Sequence, residues 1–218
     1  MTRIRGSRTR VLRVSSELLI LISANLAAGR YRTISELIGD TKENRVSPRK
    51  IYEIILQSYL FLGYPRAIEG LKLFESKYPR FVPPPGVDPE PAAVNDWRKR
   101  GELLCRKIYG SNYEPLRRRI KGISPDLDAW MVWEGYGKVL SRGQVPSYVR
   151  ELCSCAALVI TGDTVQLHSH LRGALHVGAR PRMLRAMFEL ISDIAGKKRM
   201  QAAFKVLDEV CGKPVNDA

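Results

Sequence analysis

Long apolar runs are scarce in this chain of 218 residues. The longest candidate, residues 18–28, is interrupted by Ser23 and Asn25, and no run reaches the roughly 18 to 20 residues that a membrane span requires. The arginine-rich start, residues 1–13, adjoins no hydrophobic signal core with a cleavage site. We therefore expect a cytoplasmic protein that does not associate with membranes.

Cysteines and strand-type patterns are also scarce. Four cysteines in a chain without an evident secretory signal favour reduced thiols, and a hydrophobic content of 44% suffices for a packed core without disulfides. Alternation of apolar and polar residues is nearly absent, whereas apolar residues recur every three or four positions, as at Leu18, Ile22 and Leu26. This spacing is typical of helices, so the predicted fold class is all-α.

Acidic residues are outnumbered: 22 Asp and Glu stand against 36 Lys and Arg, which gives a formal net charge of +14. Clustered cations bind phosphate, but here they are scattered, and aromatic residues are not interleaved with them as in single-strand-binding proteins. A solvated basic surface is the first interpretation. Nucleic acid is not expected as a partner, and anionic small molecules or protein partners stay open.

A proline-rich segment at residues 79–93 predicts an extended connector between two helical units, because prolines prevent a continuous helix. The first unit is predicted to cover residues 1–78 and the second residues 94–218. Glycines predict where helices end inside the units, as at Gly39 and Gly63.

The two units are predicted to be tandem repeats. Residues compared with those 133 positions later align without a gap, so that Pro48 meets Pro181 and Gly63 meets Gly196. Matched proline and glycine positions in a helical pattern favour duplication over chance.

Glu151 and His170 are predicted to face each other. Each lies in an apolar helical segment, and the break at Gly162 and Asp163 lets the two helices run antiparallel. Imidazole titrates near neutral pH, and a buried carboxylate can orient it or share its proton. The alternatives are an ordinary polar histidine in a helix and a carboxylate that favours a helix start.

The first unit has no histidine at the corresponding place. Leu37 stands at the position of His170, while a shift of one residue places Glu17 at the position of Glu151.

Three ordered motifs occupy the second unit: YGKVLSR at residues 136–142, REL at 150–152 and QLHSHLRGALHVG at 166–178. Together they resemble the carboxymuconolactone decarboxylase and alkyl hydroperoxidase D superfamily, which is all-helical. The resemblance covers residues 112–210 well and residues 15–78 more weakly. It implies two alkyl hydroperoxidase D-like helical units and a homo-oligomer.

The peroxidase branch of this superfamily carries C-x-x-C-x-x-x-H, but counting back from His170 those places hold Gln166 and Asp163. Neither residue can form the thiolate that thiol peroxidases need. The decarboxylase branch uses no cysteine pair and has a similar Gln and His arrangement. The resemblance therefore implies a cofactor-free lyase for a small acidic lactone, with His170 protonating the carbon left after loss of carbon dioxide and Glu151 as its partner. Gln166 is a further candidate.

Other side chains allow alternative functions. Cys155 lies four residues after Glu151 on the same helix face, where it is an apolar filler or an unconventional thiol for peroxide reduction. A non-catalytic basic interaction module is the third alternative. No metal site is expected, because His168 and His176 point away from His170 at helical spacing.

Arginines near these motifs are candidates for binding a substrate carboxylate, which guanidinium can hold in a bidentate manner. They are Arg142, Arg150 and Arg172. Ion pairing with other helices or at the surface is the alternative role for each.

Overall fold

The structure is a computed structural model, and it describes residues 11–86 and 89–212. Within these ranges no residue belongs to a β-strand, so the all-α prediction is confirmed. The first four helices are α1 (Val14–Ala28), α2 (Tyr31–Glu43), α3 (Pro48–Gln57) and α4 (Tyr59–Lys77).

The middle of the chain adds α5 (Pro91–Tyr109), a 3₁₀ turn (Gly110–Asn112), α6 (Tyr113–Ile123), α7 (Pro125–Trp130) and a π-helix (Met131–Leu140). The last four helices are α8 (Ser147–Thr161), α9 (Thr164–His176), α10 (Pro181–Ala195) and α11 (Lys197–Cys211). Pro91 takes the first helical position of α5, where its missing N–H is not needed. The helix therefore starts inside the predicted connector.

Helices α1 and α8 lie at the centre and pack against each other. Both are buried along most of their length, because apolar residues surround the helix instead of forming one stripe. Ser23 Oγ of α1 donates a hydrogen bond of 2.7 Å to the carbonyl oxygen of Cys153 in α8. The largest core cluster contains side chains from both the first and the last four helices, so both sets of helices support α8 and α9.

The first and last four helices follow the same interval along the sequence. Val14 to Ser147 and Tyr31 to Thr164 are both steps of 133 residues, which join the starts of α1 and α8 and of α2 and α9. Gly63 (φ 75°, ψ 168°) breaks α4 with nearly the same backbone geometry as Gly196 (φ 77°, ψ 162°) between α10 and α11. Only glycine adopts such angles readily.

At this interval Leu18 lies opposite Glu151 in the sequence comparison, and the one-residue shift that pairs Glu17 with Glu151 stays a prediction. The prediction that Gly39 ends a helix was wrong, because Gly39 lies inside α2. Duplication and the division into units at residues 1–78, 79–93 and 94–218 stay predictions.

The π-helix packs along α5 and forms one wall of the site described below. Its wider turn is visible where the backbone N–H of Ser141 donates to the carbonyl of Tyr136, five residues earlier. π-Helices are rare, and single π-helical turns are frequently found at functional sites. Within the described residues, no helix has the length and apolar character needed to cross a membrane.

Candidate functional site

Glu151 and His170 are in contact, as the sequence predicted. Oε2 of Glu151 lies 2.7 Å from Nδ1 of His170, and both side chains are buried, with only 1% of Glu151 and 6% of His170 exposed. A carboxylate oxygen that faces Nδ1 favours the proton on that nitrogen. Nε2 is therefore the nitrogen of His170 that is left for a substrate.

Helices α8 and α9 place this pair by packing closely. Glu151 lies in the second turn of α8 and His170 in the middle of α9, with Gly162 at the turn between the helices. Gly173 of α9 also lets α5 approach, because a Cβ atom there would come within 2.7 Å of Ile108, while Oε2 of Glu151 would lie at a contact distance of 3.4 Å.

A cavity of about 470 Å³ adjoins His170. Its lining is mainly apolar and aromatic, with Glu134 as the other ionisable side chain besides His170 and the tyrosines. The lining residues are Tyr59, Leu60, Phe61, Tyr109, Ile120, Leu127, Trp130, Met131, Glu134, Gly135, Tyr136, Leu140, Gln166 and His170. Leu127 and Trp130 are about half exposed, which places them at the solvent side of the cavity. Such a cavity suits a small, largely apolar molecule.

Two tyrosines form a buried pair beside Glu151. The hydroxyl groups of Tyr109 and Tyr136 lie 2.7 Å apart. Burial raises the pKa of Tyr136 well above its ordinary value, and the neighbouring Tyr109 and the charge of Glu151 act in the same direction. Burial also raises the pKa of Tyr109. Both phenols therefore stay protonated at neutral pH, and since one hydroxyl donates to the other, one of the two can donate to a further group.

The first half of the chain contributes to the same cavity through α4. The ring of Phe61 meets the imidazole of His170 edge-on, with 5.2 Å between the ring centroids. Tyr59 donates a hydrogen bond of 3.1 Å to Oε1 of Glu134. These contacts limit water around His170 and hold Glu134 at the cavity wall.

Gln166 lines the cavity one helical turn before His170, where it is solvent-exposed. An amide at this place can donate to a substrate carbonyl or accept from a substrate hydroxyl. The structure therefore brings together three of the predicted residues, Glu151, Gln166 and His170.

Cys155 lies near Glu151 but is fully buried. Burial raises the pKa of its thiol well above the ordinary 9.0, and the negative charge of Glu151 raises it further. The thiol of Cys105 is likewise buried, and its pKa is raised by burial. A protonated, enclosed thiol is a poor nucleophile, so this environment weighs against thiol-dependent peroxide chemistry.

Arg142 and Arg150 lie away from this cavity, in a cluster around the fully buried Glu53 of α3. Arg142 binds Glu53 with two nitrogens, at 2.8 and 3.0 Å, and Nη2 of Arg150 lies 3.1 Å from Oε2. Arg49 completes the cluster at 2.8 Å. Burial alone would raise the pKa of Glu53, but the hydrogen bonds and charges of Arg142 and its neighbours outweigh it and hold the pKa below its ordinary value.

Arg172 lines a second cavity, together with His168 and His176. Both histidines thus lie away from His170, as their spacing predicted. Among the described residues, no group of three or more His, Cys, Asp or Glu side chains is placed to hold a metal ion.

The sequence did not reveal the contributions of α4 and α5 to the site. Phe61 and Tyr109 are distant from His170 along the chain, and neither lies in the motifs that pointed to the site. Trp130 and Tyr136 of the second half of the chain also line the cavity.

Comparisons with known proteins point to the same region. A family model described as the carboxymuconolactone decarboxylase family matches residues 125–209, which contain the π-helix, Glu151 and His170. The chain is also similar to Peroxisomal protein 2 of Schizosaccharomyces pombe, with 32% identity over 168 residues, which are 74% of this chain and 76% of that protein. This similarity extends well beyond the matched family segment.

Proposed function

Since the chain belongs to the carboxymuconolactone decarboxylase family, we propose that it is a cofactor-free enzyme for acid/base chemistry on a small lactone or related carbonyl compound. The observation that carries this proposal is the buried contact between Glu151 and His170 at the wall of a cavity. Because the carboxylate holds one nitrogen of the buried imidazole, the other nitrogen is available to exchange a proton with a substrate.

His170 acts as the proton donor or acceptor in this mechanism. In a decarboxylation, the bond between the carboxylate and the ring carbon breaks, carbon dioxide leaves, and Nε2 delivers its proton to that carbon. Glu151 keeps Nδ1 protonated and stabilises the positive charge of the ring before the transfer. The apolar walls exclude water, which strengthens these interactions.

The residues that line the cavity limit the chemical class of the substrate. Its lining residues include no Lys or Arg, so a substrate carboxylate would meet protonated His170 as its positive partner. Gln166 and one hydroxyl of the Tyr109 and Tyr136 pair can donate hydrogen bonds to a lactone carbonyl. We therefore favour a substrate that is mostly apolar, with its acidic group directed towards His170.

Binding can be tested before turnover is known. Trp130 lines the cavity, so its fluorescence should change when a ligand enters. A panel of small lactones and lactone acids, titrated against the protein, should produce a saturable change in the native chain. The same titration of Trp130→Phe should give a much smaller change.

Turnover of the compounds that bind is then followed by NMR in heavy water, where proton delivery to carbon appears as deuterium incorporation. His170→Gln should lower kcat by about 10²- to 10⁴-fold, the usual contribution of a general acid or base. Glu36→Gln, a change in an exposed ion pair on α2, is the control and should leave the rate unchanged. Undiminished deuterium incorporation in His170→Gln would refute the proposal.

The location and assembly of the protein stay predictions. The sequence favoured a cytoplasmic protein, whereas the relative from Schizosaccharomyces pombe is named as a peroxisomal protein. Two fluorescent fusions, one at each end of the chain, leave the opposite end free in each case. Microscopy of both fusions distinguishes the cytoplasm from peroxisomes. Light scattering during gel filtration tests the predicted homo-oligomer.

A further inference from the structure

The second cavity, of about 270 Å³, lies on the side of α9 that faces α6. Its lining contains two arginines and two histidines, and no carboxylate is among the lining residues. The polar groups are Asn112, Arg119, His168, Ser169, Arg172 and His176. All of these side chains can donate hydrogen bonds, and the cationic ones attract anions.

The basic groups on α9 form a regular stripe. His168, Arg172 and His176 follow one another at intervals of four residues, so they lie on the same helix face. Arg119 of α6 lines the same cavity from the opposite side. Arg172 is the permanent cation of this stripe, and each neighbouring imidazole carries at least one N–H donor.

Arg119, which is exposed, and Arg172, which is half-buried, differ from the arginines that ion pairs hold in place. Arg117 is paired with Asp128, while Arg142 and Arg150 share Glu53. Among the ion pairs of residues 11–86 and 89–212, neither Arg119 nor Arg172 has a carboxylate partner. Their guanidinium groups are free to bind an anion with two parallel hydrogen bonds.

A hydrogen bond to the backbone holds the ring of His176 in place. Its Nδ1 lies 2.7 Å from the backbone carbonyl oxygen of Ile108. A carbonyl oxygen can only accept a hydrogen bond, so Nδ1 carries a proton, and Nε2 donates to an anion when the ring is doubly protonated. The carbonyl thus orients the ring next to Arg172.

The basic lining continues beyond the cavity. A neighbouring groove of about 800 Å³ shares Arg119, His168 and Ser169 with it and adds Lys198 and Lys205 of α11. Glu209 is the one carboxylate among the residues that line the groove. The positive charge therefore extends far enough for a ligand with more than one anionic group.

We propose that this surface is a binding site for a small phosphorylated molecule, with one phosphate group between Arg119 and Arg172. A second phosphate or another anionic group of the ligand lies in the groove towards Lys198. Phosphate matches the paired guanidinium donors and carries enough charge to offset several cations. A nucleic acid fits less well, because Tyr109 is the one aromatic residue that lines the cavity, and stacking would need more.

This site is separate from the cavity at His170 and does not depend on the proposed reaction. Tyr109 forms part of both linings, but the arginines of the phosphate site are absent from the first. A variant in one site can therefore be assayed without changing the other.

Isothermal titration calorimetry with inorganic pyrophosphate, at an ionic strength held constant with sodium chloride, tests the proposal. The native chain should bind pyrophosphate, and inorganic phosphate more weakly. Arg119→Gln and Arg172→Gln should each lower the affinity about ten-fold or more, since each removes hydrogen bonds to a charged group. Arg32→Gln should retain native affinity, because Arg32 is an exposed arginine on α2 paired with Glu36.

Three results would overturn the proposal. One is the absence of measurable pyrophosphate binding by the native chain, and another is an equal loss of affinity in Arg32→Gln, which would indicate nonspecific attraction. The third is tighter binding of a single-stranded oligonucleotide that depends on Arg119 and Arg172, which would assign the surface to nucleic acid. Unfolding curves of the variants are compared with that of the native chain. If the curves are unchanged, a loss of binding is due to the altered site and not to misfolding.

Discussion

The backbone of Gly137 packs directly on the carbonyl oxygen of Trp97, so that a Cβ atom on Gly137 would lie only 1.9 Å from that oxygen. The contact is reciprocated at Gly101, where a Cβ atom would lie 2.0 Å from the carbonyl oxygen of Val132. Helix α5 and the π-helix thus touch backbone to backbone at two points. This contact fixes the position of Tyr136, the residue before Gly137, beside Glu151.

Gly137→Ala should therefore destabilise the protein by about 1 to 3 kcal/mol, the usual cost of overpacking a tight interior. The methyl group can be accommodated only if the two helices move apart, because the obstacle is backbone and not a flexible side chain. Urea unfolding followed by circular dichroism measures the effect.

Gly39→Ala is the matched control, since Gly39 lies inside α2 and nothing would come within 4 Å of a Cβ atom there. Alanine is the better helix former, so this variant should be as stable as the native chain or more stable by about 0.5 to 1 kcal/mol. Equal loss of stability in both variants would show that the helices do not depend on close approach at Gly137.

Local features of the sequence predicted the core of the site. Glu151 and His170 lie on consecutive helices, and the turn at Gly162 brings such helices together. Helical periodicity and a short break between helices are local signals. The contact between the two side chains could therefore be predicted from the sequence alone.

The rest of the site depends on contacts between distant segments. Phe61 comes to His170 because α4 packs against the second half of the chain, and no local pattern indicates that contact. Arg150 was a candidate for substrate binding because the sequence could not show that Glu53 lies beside it. The π-helix was also not predicted, because no amino-acid pattern in residues 131–140 distinguishes it from an α-helix. Its wider turn depends on packing against α5.

The cysteines should show contrasting reactivity. In the native protein near neutral pH, a thiol reagent should modify Cys211 first, because Cys211 is half-buried whereas Cys105, Cys153 and Cys155 are buried. Burial raises the pKa of each buried thiol, so the reactive thiolate is scarce as well as enclosed. Mass spectrometry of the modified peptides gives the order.

Cys211→Ser should remove the fast phase of this reaction, and unfolding in urea should expose all four thiols of the native chain. Rapid modification of Cys155 in the folded protein would contradict its burial. It would also restore the thiol-dependent alternative for the function.

Glu53 is the anionic centre of the cluster that joins α3 to α8, and Glu53→Gln should be strongly destabilising. The substitution leaves Arg142 and Arg150 without a negative partner in the interior, and breaking a buried ion pair in this way costs about 3 to 5 kcal/mol. Glu36→Gln removes an exposed pair and should cost less than about 1 kcal/mol. Urea unfolding at neutral pH compares the two variants with the native chain.

The pH dependence of stability provides an independent test of the same carboxylate. The pKa of Glu53 is lowered in the folded protein from its ordinary 4.5, so its stabilising contribution is fully present above that pH and is lost as the pH falls through the lower folded value. The difference in unfolding free energy between the native chain and Glu53→Gln should be constant from about pH 6 to 7 and shrink below about pH 4.5. If the difference instead grew on acidification, the carboxylate would be stabilised in its protonated form, and the arginines would not be its partners.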